Sequence, residues 1–411
     1  MQDKNNISRP RLDTRERKVV LVSGYGHFLS HYNMLVFPAL VIPLMEKMGT
    51  GISDVLELSF WMYLLFGITA LPWGLAADKW GAVKLLGLFH VGAAMSGLGA
   101  AFFIDTPSGL RFSLACLGLF SGIYHPVGLG MVSKELKHVS LGMGYNGMFG
   151  VLGLVLAPLL TGLVNWMSGV QAVYFLVAGL NFLGFIMIPV LPKPIENPLE
   201  KSGADKEKNY LAAFSIMLIS MMLGGIAYRG ATVILPAYLE LKSQGIFEFL
   251  SSLLKTDIQK NLTATIVTAM VYLVGMGGQF YGGQAAQKFK AQYTYLFFNV
   301  FPIPFAFLMA FVSDFPLIAA SLVYFFFLLG MQPSENTLIA RFTPRKLHHS
   351  AFGLKFVLTF GVGSLAVKMI KSIERTMGID YVFPTLGILS LLLCGVIMML
   401  ILKIKRIENK I

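Results

Sequence analysis

Long stretches without a charged side chain divide this chain, and they constrain its fold more than any other feature. Lys, Arg, Asp and Glu make up 13% of the 411 residues, about half the share in an ordinary soluble domain. Residues 19–45, 138–192 and 381–402 are three of the stretches that carry none of them. Each is near or above the roughly 20 residues that cross the hydrocarbon core as a helix. The sequence therefore predicts an integral membrane protein with many helices.

Twelve transmembrane helices account for these stretches once the longest block is divided. A short polar interruption at residues 165–171 splits the block 138–192 into two helices of ordinary length. We call the twelve predicted helices spans one to twelve. They cover residues 19–45, 55–78, 82–103, 110–133, 139–165, 170–191, 210–240, 262–287, 292–313, 315–341, 348–372 and 380–402.

A polar segment separates spans six and seven. Residues 192–209 are rich in Lys, Glu, Pro and Gly, which is typical of a solvated linker. The linker divides the chain into an N-terminal bundle of six helices, residues 1–191, and a C-terminal bundle of six helices, residues 210–411. We therefore expect an all-α membrane protein with twelve transmembrane helices in two bundles.

The two bundles resemble each other in sequence, which predicts pseudo-symmetry. Pro38 in span one and Pro236 in span seven stand in similar apolar runs. The same offset aligns His31 with Arg229, so a polar, titratable residue occupies the same depth in both bundles. The repeat predicts a duplicated six-helix unit.

The Lys and Arg residues cluster at span ends and predict the orientation. With the N-terminus inside, the inside segments hold 23 of the 33 Lys and Arg residues and the outside segments hold 8. This bias places both termini and the linker in the cytoplasm. The formal net charge of +12 does not indicate nucleic-acid binding, because the basic residues form no common face.

One insertion stands between spans seven and eight, at residues 243–260. Its apolar residues recur at helical spacing opposite polar ones, which is typical of a helix lying at the membrane surface. The pattern fits two roles, an interfacial connector or a lid over the outer side of the protein. The predicted apolar face consists of Ile246, Phe249, Leu250, Leu253 and Leu254.

The loop between spans two and three carries a recognisable pattern of Gly, Asp and Lys. Gly74 allows helices to approach closely, Gly81 allows a tight turn, and Asp78 with Lys79 and Lys84 supplies charges. The pattern resembles the cytoplasmic signature of the major facilitator superfamily. The resemblance implies that this loop acts as a latch that holds the inward face closed.

Spans four and five carry a second resemblance. Tyr124-His125-Pro126 in span four precedes a glycine-rich run in span five, and both are similar to the fosmidomycin-resistance branch of the superfamily. The run also resembles an antiporter motif, although Ala157 and Thr161 replace two of its glycines. The residues that form this helix-packing motif are Gly150, Gly153, Pro158 and Gly162.

Few charged residues lie inside the predicted spans, and charge in a membrane usually has a function. These are Glu335 in span ten, Arg229 in span seven and Lys355 in span eleven. The family resemblance implies a central cavity around which these residues gather with His31 and His125. Tyr145 matches Lys355 in the repeat and is added to the predicted substrate-binding residues, which are His31, His125, Tyr145, Arg229 and Lys355.

Two interpretations of these charges remain open. In the first, Glu335 forms a salt bridge with Arg229 or Lys355 and only holds the bundles in register. In the second, Arg229 and Lys355 bind an anionic group of a solute, while Glu335 or His31 exchanges protons. Two cations face one carboxylate, so a bound anion would relieve the cost of the unpaired positive charge.

The histidines of span one allow a metal site by their spacing. His27 and His31 are four residues apart and lie on one helix face. No third ligand such as Asp or Cys follows them in the sequence, so we expect protonation rather than metal binding. Cys116 and Cys394 lie in separate predicted spans and give no zinc spacing. We therefore expect no metal and no cofactor.

These features together predict a secondary active transporter in a bacterial inner membrane. We expect it to move a small anionic organic solute or drug by alternating access, coupled to protons, with export favoured by the branch resemblance. Uptake of an organic anion is one alternative. A membrane receptor or structural subunit that transports nothing is another. We expect no enzyme activity. The sequence shows no nucleotide-binding loop, so we expect an ion gradient or the solute's own gradient to supply the energy.

The orientation can be tested with single cysteines in a variant that lacks Cys116 and Cys394. We expect Asp205→Cys in the linker to react with a membrane-impermeant thiol reagent only after the cells are permeabilised. Ser252→Cys in the insertion, the matched control, is expected to react in intact cells. Labelling of residue 205 in intact cells would reverse the predicted orientation.

Overall fold

The fold is entirely helical. The computed structural model describes residues 12–193, 210–254, 259–343 and 348–409, and these ranges contain no β-strand. Among them, eight helices are long and apolar enough to cross a membrane, and ten when each of two bent helix pairs counts as one span. Gly169, with φ 79°, divides the segment Leu141–Val190 into two spans. With Ala291–Leu308 as a further, broken span, the chain is an all-α membrane protein of twelve transmembrane helices in two pseudo-symmetric six-helix bundles.

Most predicted spans match the observed helices to within a few residues, and several are broken by a kink. Spans one to six consist of Thr14–Ala39 with Val41–Met48; Ile52–Leu58 with Phe60–Ile68 and Ala70–Trp80; Ala82–Phe102; Pro107–Ser121 with Tyr124–Glu135; and the two parts of Val139–Met187. Spans seven to twelve consist of Leu211–Lys242; Lys260–Lys288; Ala291–Val300 with Pro302–Leu308; Asp314–Gly330 with Gln332–Phe342; His348–Phe356 with Val357–Gly361 and Leu365–Met377; and Val382–Glu408.

Two predicted segments fall partly outside the described residues. Of the linker at 192–209, residues 194–209 are not described, so its boundaries stay a prediction. Residues 255–258 of the insertion are also outside the described ranges. Within the insertion, Gln244–Leu254 forms a helix. Its Ile246 is buried, and the backbone N–H of Ile246 donates a hydrogen bond to the Asp314 carboxylate (3.0 Å).

The first helix begins at a residue pair that also fixes neighbouring loops. Asp13 accepts a hydrogen bond from the backbone N–H of Glu16 (2.8 Å), and Glu16 accepts one from the N–H of Asp13 (3.0 Å). This capping box satisfies donors that a helix start leaves free. Glu16 also accepts from the N–H of Lys137 (2.7 Å), and Arg15 donates to the carbonyl of Lys193 (2.9 Å). These bonds hold the ends of spans one, four and six on one face, which we call the terminal face.

On the opposite face, which we call the distal face, the two bundles are joined by ion pairs. Glu57 at the start of span two pairs with Lys368 and Lys371 at the end of span eleven. Asp54 pairs with Arg375 and lies 3.7 Å from Lys371. Among the described residues, the ion pairs between bundles all lie on this face. The distal face is therefore closed in this conformation.

Asparagine side chains add a second connection near the distal face. Asn165 of span five donates to Asn261 of span eight (3.0 Å). Asn261 donates in turn to the carbonyl of Ala39 (2.9 Å) and to the carboxylate of Glu240 (2.8 Å). Because Asn261 joins both bundles, this network strengthens the closure that the ion pairs provide.

Spans two and eleven touch backbone to backbone below the ion pairs. A Cβ added to Gly67 would lie 2.0 Å from the backbone N of Gly361. No side chain fits at that distance. The absence of a side chain at Gly67 is therefore a condition for the closed conformation.

This contact predicts a selective destabilisation by Gly67→Ala. The added methyl group forces the two backbones apart, and overpacking of this kind typically costs roughly 1–3 kcal/mol. Gly130→Ala is the matched control, because a Cβ there has nothing within 4 Å. We expect a lower thermal unfolding temperature in detergent for Gly67→Ala than for Gly130→Ala. Equal temperatures would contradict the close approach.

Candidate functional site

A small cavity lies between the bundles, where spans one, two, five, seven and eleven meet. Its volume of about 10 Å³ is barely enough for one water molecule. The bundles are therefore packed closely around it in this conformation. The lining residues are His31, Met34, Leu35, Phe66, Leu154, Tyr228, Arg229 and Phe360.

Arg229 is the charged residue of this cavity, and it is buried with 3% of its surface exposed. Its Cζ lies 4.1 Å from the ring centroid of Tyr63 and 5.6 Å from that of Phe360. Its Nε has no hydrogen-bond partner, and no carboxylate among the described residues pairs with it. Each aromatic face contributes roughly 2 kcal/mol or more when the cation is desolvated, whereas burying an ion costs several kcal/mol and leaves its N–H donors in need of acceptors. The guanidinium is therefore only partly compensated.

Glu335 forms its salt bridge with Lys355 and not with Arg229. The carboxylate lies 2.8 Å from Nζ of Lys355, and both side chains are buried. Tyr295 donates its hydroxyl to Glu335 (3.1 Å), and Lys355 donates to the amide oxygen of Asn336 (2.5 Å). This pair is neutral and hydrogen-bonded on both sides. The unpaired positive charge that the sequence predicts is therefore the charge of Arg229.

Three histidines meet beside the cavity, although the sequence shows no Asp or Cys beside His27 and His31. His125 of span four completes the group, and one ring nitrogen from each histidine lies within 4.8 Å of the others. The ring centroids of His31 and His125 are 5.2 Å apart. Both ring nitrogens of His125 are buried without a hydrogen-bond partner. The family resemblance groups His31 and His125 around one cavity, but the addition of His27 to this group depends on how spans one and four face each other.

The helix-packing motif of span five places the histidines of span one. A Cβ on Gly150 would lie 2.6 Å from the His27 ring, and a Cβ on Gly153 would lie 2.3 Å from the carbonyl oxygen of Phe28 and 3.0 Å from Cβ of His31. These glycines let span five press directly against the two histidines. The close approach also brings the carbonyl oxygen of Asn146 to 2.9 Å from Nδ1 of His27.

Breaks in spans four and ten position His125 and Glu335. Each span is interrupted just before a proline, Pro126 in one and Pro333 in the other, and the candidate residue lies within the first turn of the new helix. Proline has no N–H and is tolerated in a first turn. The breaks occur in both bundles, but His125 is the second residue of its helix and Glu335 is the fourth residue of its own, so the two do not occupy equivalent positions.

Span eleven carries the aromatic rings that join the two bundles at this site. Its residues Val357–Gly361 form a π-helical turn, a feature that is frequent at functional sites. Phe356 stacks on His125 with 4.8 Å between ring centroids, and Phe360 contacts Phe66 at 5.2 Å. The rings of the C-terminal bundle thus cover the histidines of the N-terminal bundle.

The residues of the predicted latch lie together on the terminal face. Asp78 pairs with Lys134 of the same bundle at 3.4 Å, and both side chains are exposed. Lys79 and Lys84 are exposed and form no ion pair with another described residue. Gly81 has φ 85° and ends the helix, and Gly74 packs against Pro126. The latch role itself stays a prediction.

Two other predicted groups lie away from the cavity. Tyr145 is 46% exposed, and no hydrogen bond or ring contact between it and the predicted substrate-binding residues is seen in the described part of the chain. Pro158 lies inside the long helix of spans five and six. Gly162 faces the other bundle, since a Cβ there would lie 1.8 Å from Oγ1 of Thr265.

Four residues contribute to the site without having been predicted. Tyr63 and Phe360 flank Arg229, Tyr295 binds Glu335, and Asn146 binds the His27 ring. Asn146 contacts His27 through its backbone carbonyl oxygen, which no side-chain pattern signals. The aromatic residues carried no signal either, since similar residues occur throughout the spans.

The sequence of the chain is similar to a known family and to curated proteins. The Major Facilitator Superfamily model matches residues 24–367. The multidrug resistance protein MdtG of Yersinia enterocolitica is 27% identical over 234 residues, which are 51% of this chain and 55% of that protein. The enterobactin exporter EntS of Citrobacter koseri is 28% identical over 174 residues, 38% of this chain and 39% of that protein. The chain thus spans about half or less of the length of these curated relatives.

Solved structures share the fold across nearly the whole chain. A D-xylose–proton symporter superposes with a TM-score of 0.75 at 12% identity, covering 93% of this chain and 97% of that one. A peptide transporter POT in complex with sulfate gives a TM-score of 0.73 at 13% identity, covering 95% of each chain. At such low identity the likeness concerns the fold alone.

The buried pair of Glu335 and Lys355 generates a stability prediction. Glu335→Gln leaves the ammonium group buried and unpaired, which typically costs about 3–5 kcal/mol. The double variant Glu335→Gln with Lys355→Met is expected to recover most of this loss, because no charge then remains buried. The free energy of unfolding, measured by denaturant titration in detergent, distinguishes the variants.

The control for this experiment is the exposed pair on the terminal face. Asp78→Asn removes an ion pair whose side chains are 68% and 63% exposed, so we expect a loss of about 1 kcal/mol or less. If Glu335→Gln lowers the free energy of unfolding by no more than Asp78→Asn does, Glu335 is not a stabilising partner for Lys355.

Proposed function

The chain belongs to the Major Facilitator Superfamily, and on that premise we propose that it is a secondary active transporter. It carries a small anionic organic solute across a bacterial inner membrane by alternating access of a central site. Both termini lie in the cytoplasm. The names of the curated relatives, a multidrug resistance protein and an enterobactin exporter, support export as the direction.

One observation carries the proposal of an anionic solute. Arg229 is buried in the cavity between the bundles, and among the described residues its guanidinium has aromatic rings but no carboxylate as partners. An anion bound there would supply the missing negative charge and hydrogen-bond acceptors. His31 lines the same cavity and offers a further donor to the anion.

Glu335 and Lys355 supply a route for coupling to protons. While Glu335 is ionised, it holds Lys355 in a neutral pair. Protonation of Glu335 would leave the ammonium group without a counter-charge in a medium of low dielectric constant, and an anion would then bind more tightly. Proton and anion thus favour each other's binding.

This coupling supports the alternative function, uptake of an organic anion. When two ligands favour each other's binding, they travel in the same direction, and the proton gradient across a bacterial inner membrane drives protons inward. Export by antiport requires instead that the proton and the solute compete. Direction is therefore the point on which the two candidate functions differ.

The observed conformation is consistent with a site that opens toward the terminal face. Ion pairs of Glu57 and Asp54 close the distal face. Asp78 of the latch pairs within its own bundle at the terminal face. We propose that the loop engages the other bundle in the opposite state, when the terminal face closes.

The experiment is a flux assay in proteoliposomes with a panel of radiolabelled carboxylates, phosphonates and amphipathic drugs. We expect Arg229→Gln to weaken binding of the transported anion by tenfold or more, because the anion loses the buried cation that binds it. Arg229→Lys, the matched control, keeps the charge and is expected to retain measurable transport. An unchanged binding curve for Arg229→Gln in folded protein would exclude the anion site.

The same vesicles determine direction and coupling. An imposed pH gradient is expected to drive the solute up its concentration gradient, and Glu335→Gln is expected to abolish this effect while leaving counterflow intact. Movement of the solute against the proton flow indicates export, and movement with it indicates uptake. Absence of flux for every solute of the panel would favour the receptor or structural role.

A further inference from the structure

We propose that His27, His31 and His125 form a binding site for a divalent transition-metal ion of the zinc, copper, nickel and cobalt class. The nearest ring nitrogens of the three residues lie within 4.8 Å of one another. In a tetrahedral zinc site with Zn–N bonds of about 2.0–2.1 Å, the nitrogens are roughly 3.4 Å apart. If the imidazoles rotate so that the ring nitrogens approach one another by up to about 1.4 Å, they form a three-histidine site.

The hydrogen bonding of the histidines supports metal ligation. Nδ1 of His27 lies 2.9 Å from the carbonyl oxygen of Asn146, an acceptor, so Nδ1 carries the proton. Nε2 of His27 then keeps a free lone pair. A backbone carbonyl that fixes the tautomer in this way is the usual second partner of a metal-binding histidine.

His125 supplies the independent observation. Its side chain is buried, with 5% of the residue exposed, and neither ring nitrogen has a hydrogen-bond partner. Buried polar atoms are normally satisfied. The aromatic rings of Phe66, Phe356 and Phe360 surround the imidazole and offer no acceptor. A metal ion would satisfy one nitrogen of this ring.

The ligand set decides which ion fits. Three neutral imidazoles suit Zn²⁺, Cu²⁺, Ni²⁺ and Co²⁺, whereas Mg²⁺ and Ca²⁺ prefer oxygen ligands. Three protein ligands leave a coordination position open, as in catalytic zinc sites. His31 lines the cavity that also holds Arg229. The open position therefore faces the cavity, where an anionic oxygen donor would bind the metal and offset the charge of Arg229.

A metal site is separate from the proposed transport function. Its occupancy can be measured in detergent, where no transport takes place. The chelator-treated protein in detergent is titrated with Co²⁺, whose visible absorption reports tetrahedral coordination, and Zn²⁺ is then added as a competitor. We expect one Co²⁺ per chain, displaced by Zn²⁺, with affinity at least tenfold lower in His31→Asn and in His125→Asn. His90→Asn is the matched control, because His90 is also buried but lies outside the three-histidine group.

A ligand exchange keeps the test valid if an asparagine variant fails to fold. His31→Cys places a thiolate at the same position, and Co²⁺ bound to it is expected to show a sulfur-to-metal charge-transfer band in the near ultraviolet. The wild-type protein, whose Cys116 and Cys394 are not in the group, is expected to lack this band. Co²⁺ bound to His31→Cys without the band would overturn the proposal.

Two further outcomes decide the matter. Unchanged Co²⁺ affinity in His125→Asn, or loss of the ion only in a variant that replaces both His348 and His349, would assign the binding to another part of the chain and overturn the proposal. Arg229→Gln is expected to keep Co²⁺ binding although it loses the anion. Failure of the metal site and failure of the anion site therefore give different results.

Discussion

The cost of a charge in a low-dielectric interior organises the centre of this protein. Among the described residues, the pairing of Glu335 with Lys355 offsets that cost. Tyr295 donates a further hydrogen bond to Glu335, and Asn336 accepts one from Lys355. For Arg229 the cost is offset only in part, by cation–π contacts with the rings of Tyr63 and Phe360. The difference between a satisfied pair and an unsatisfied cation distinguishes a structural element from a candidate binding residue.

Close backbone packing makes this arrangement of polar groups possible. In a bilayer the lipid is as apolar as the helix surfaces, so helices associate through tight contact between small residues. Gly150 and Gly153 bring span five against His27 and His31, and Gly67 brings span two against Gly361. The glycines thus determine both which polar residues meet and how closely the bundles approach.

The two faces of the molecule are held by different interactions, which fits the alternating access that we propose. On the distal face, Glu57 and Asp54 form ion pairs with the other bundle. On the terminal face, Asp78 pairs with Lys134 of its own bundle. The side chains of the distal ion pairs are partly exposed, and ion pairs in contact with solvent are individually weak. A distal face closed by several of them can open again at modest cost, as alternating access requires.

The sequence by itself determined the number of spans, the repeat and the rarity of intramembrane charge. These are local properties, because the free energy of transferring a segment into the membrane depends on that segment's own side chains. For the same reason Arg229, Lys355 and Glu335 could be identified as exceptional. The breaks before Pro126 and Pro333 also follow from local chemistry.

The tertiary structure alone decided which partners meet. Hydropathy does not tell how a helix is rotated about its axis, so it could not show that Glu335 pairs with Lys355 and leaves Arg229 unpaired. It could not bring His125 to His27 and His31, which lie in another helix, or exclude Tyr145 from the group. These contacts depend on interhelical packing, where a glycine or a stacked ring fixes the rotation and distance between residues far apart in the chain.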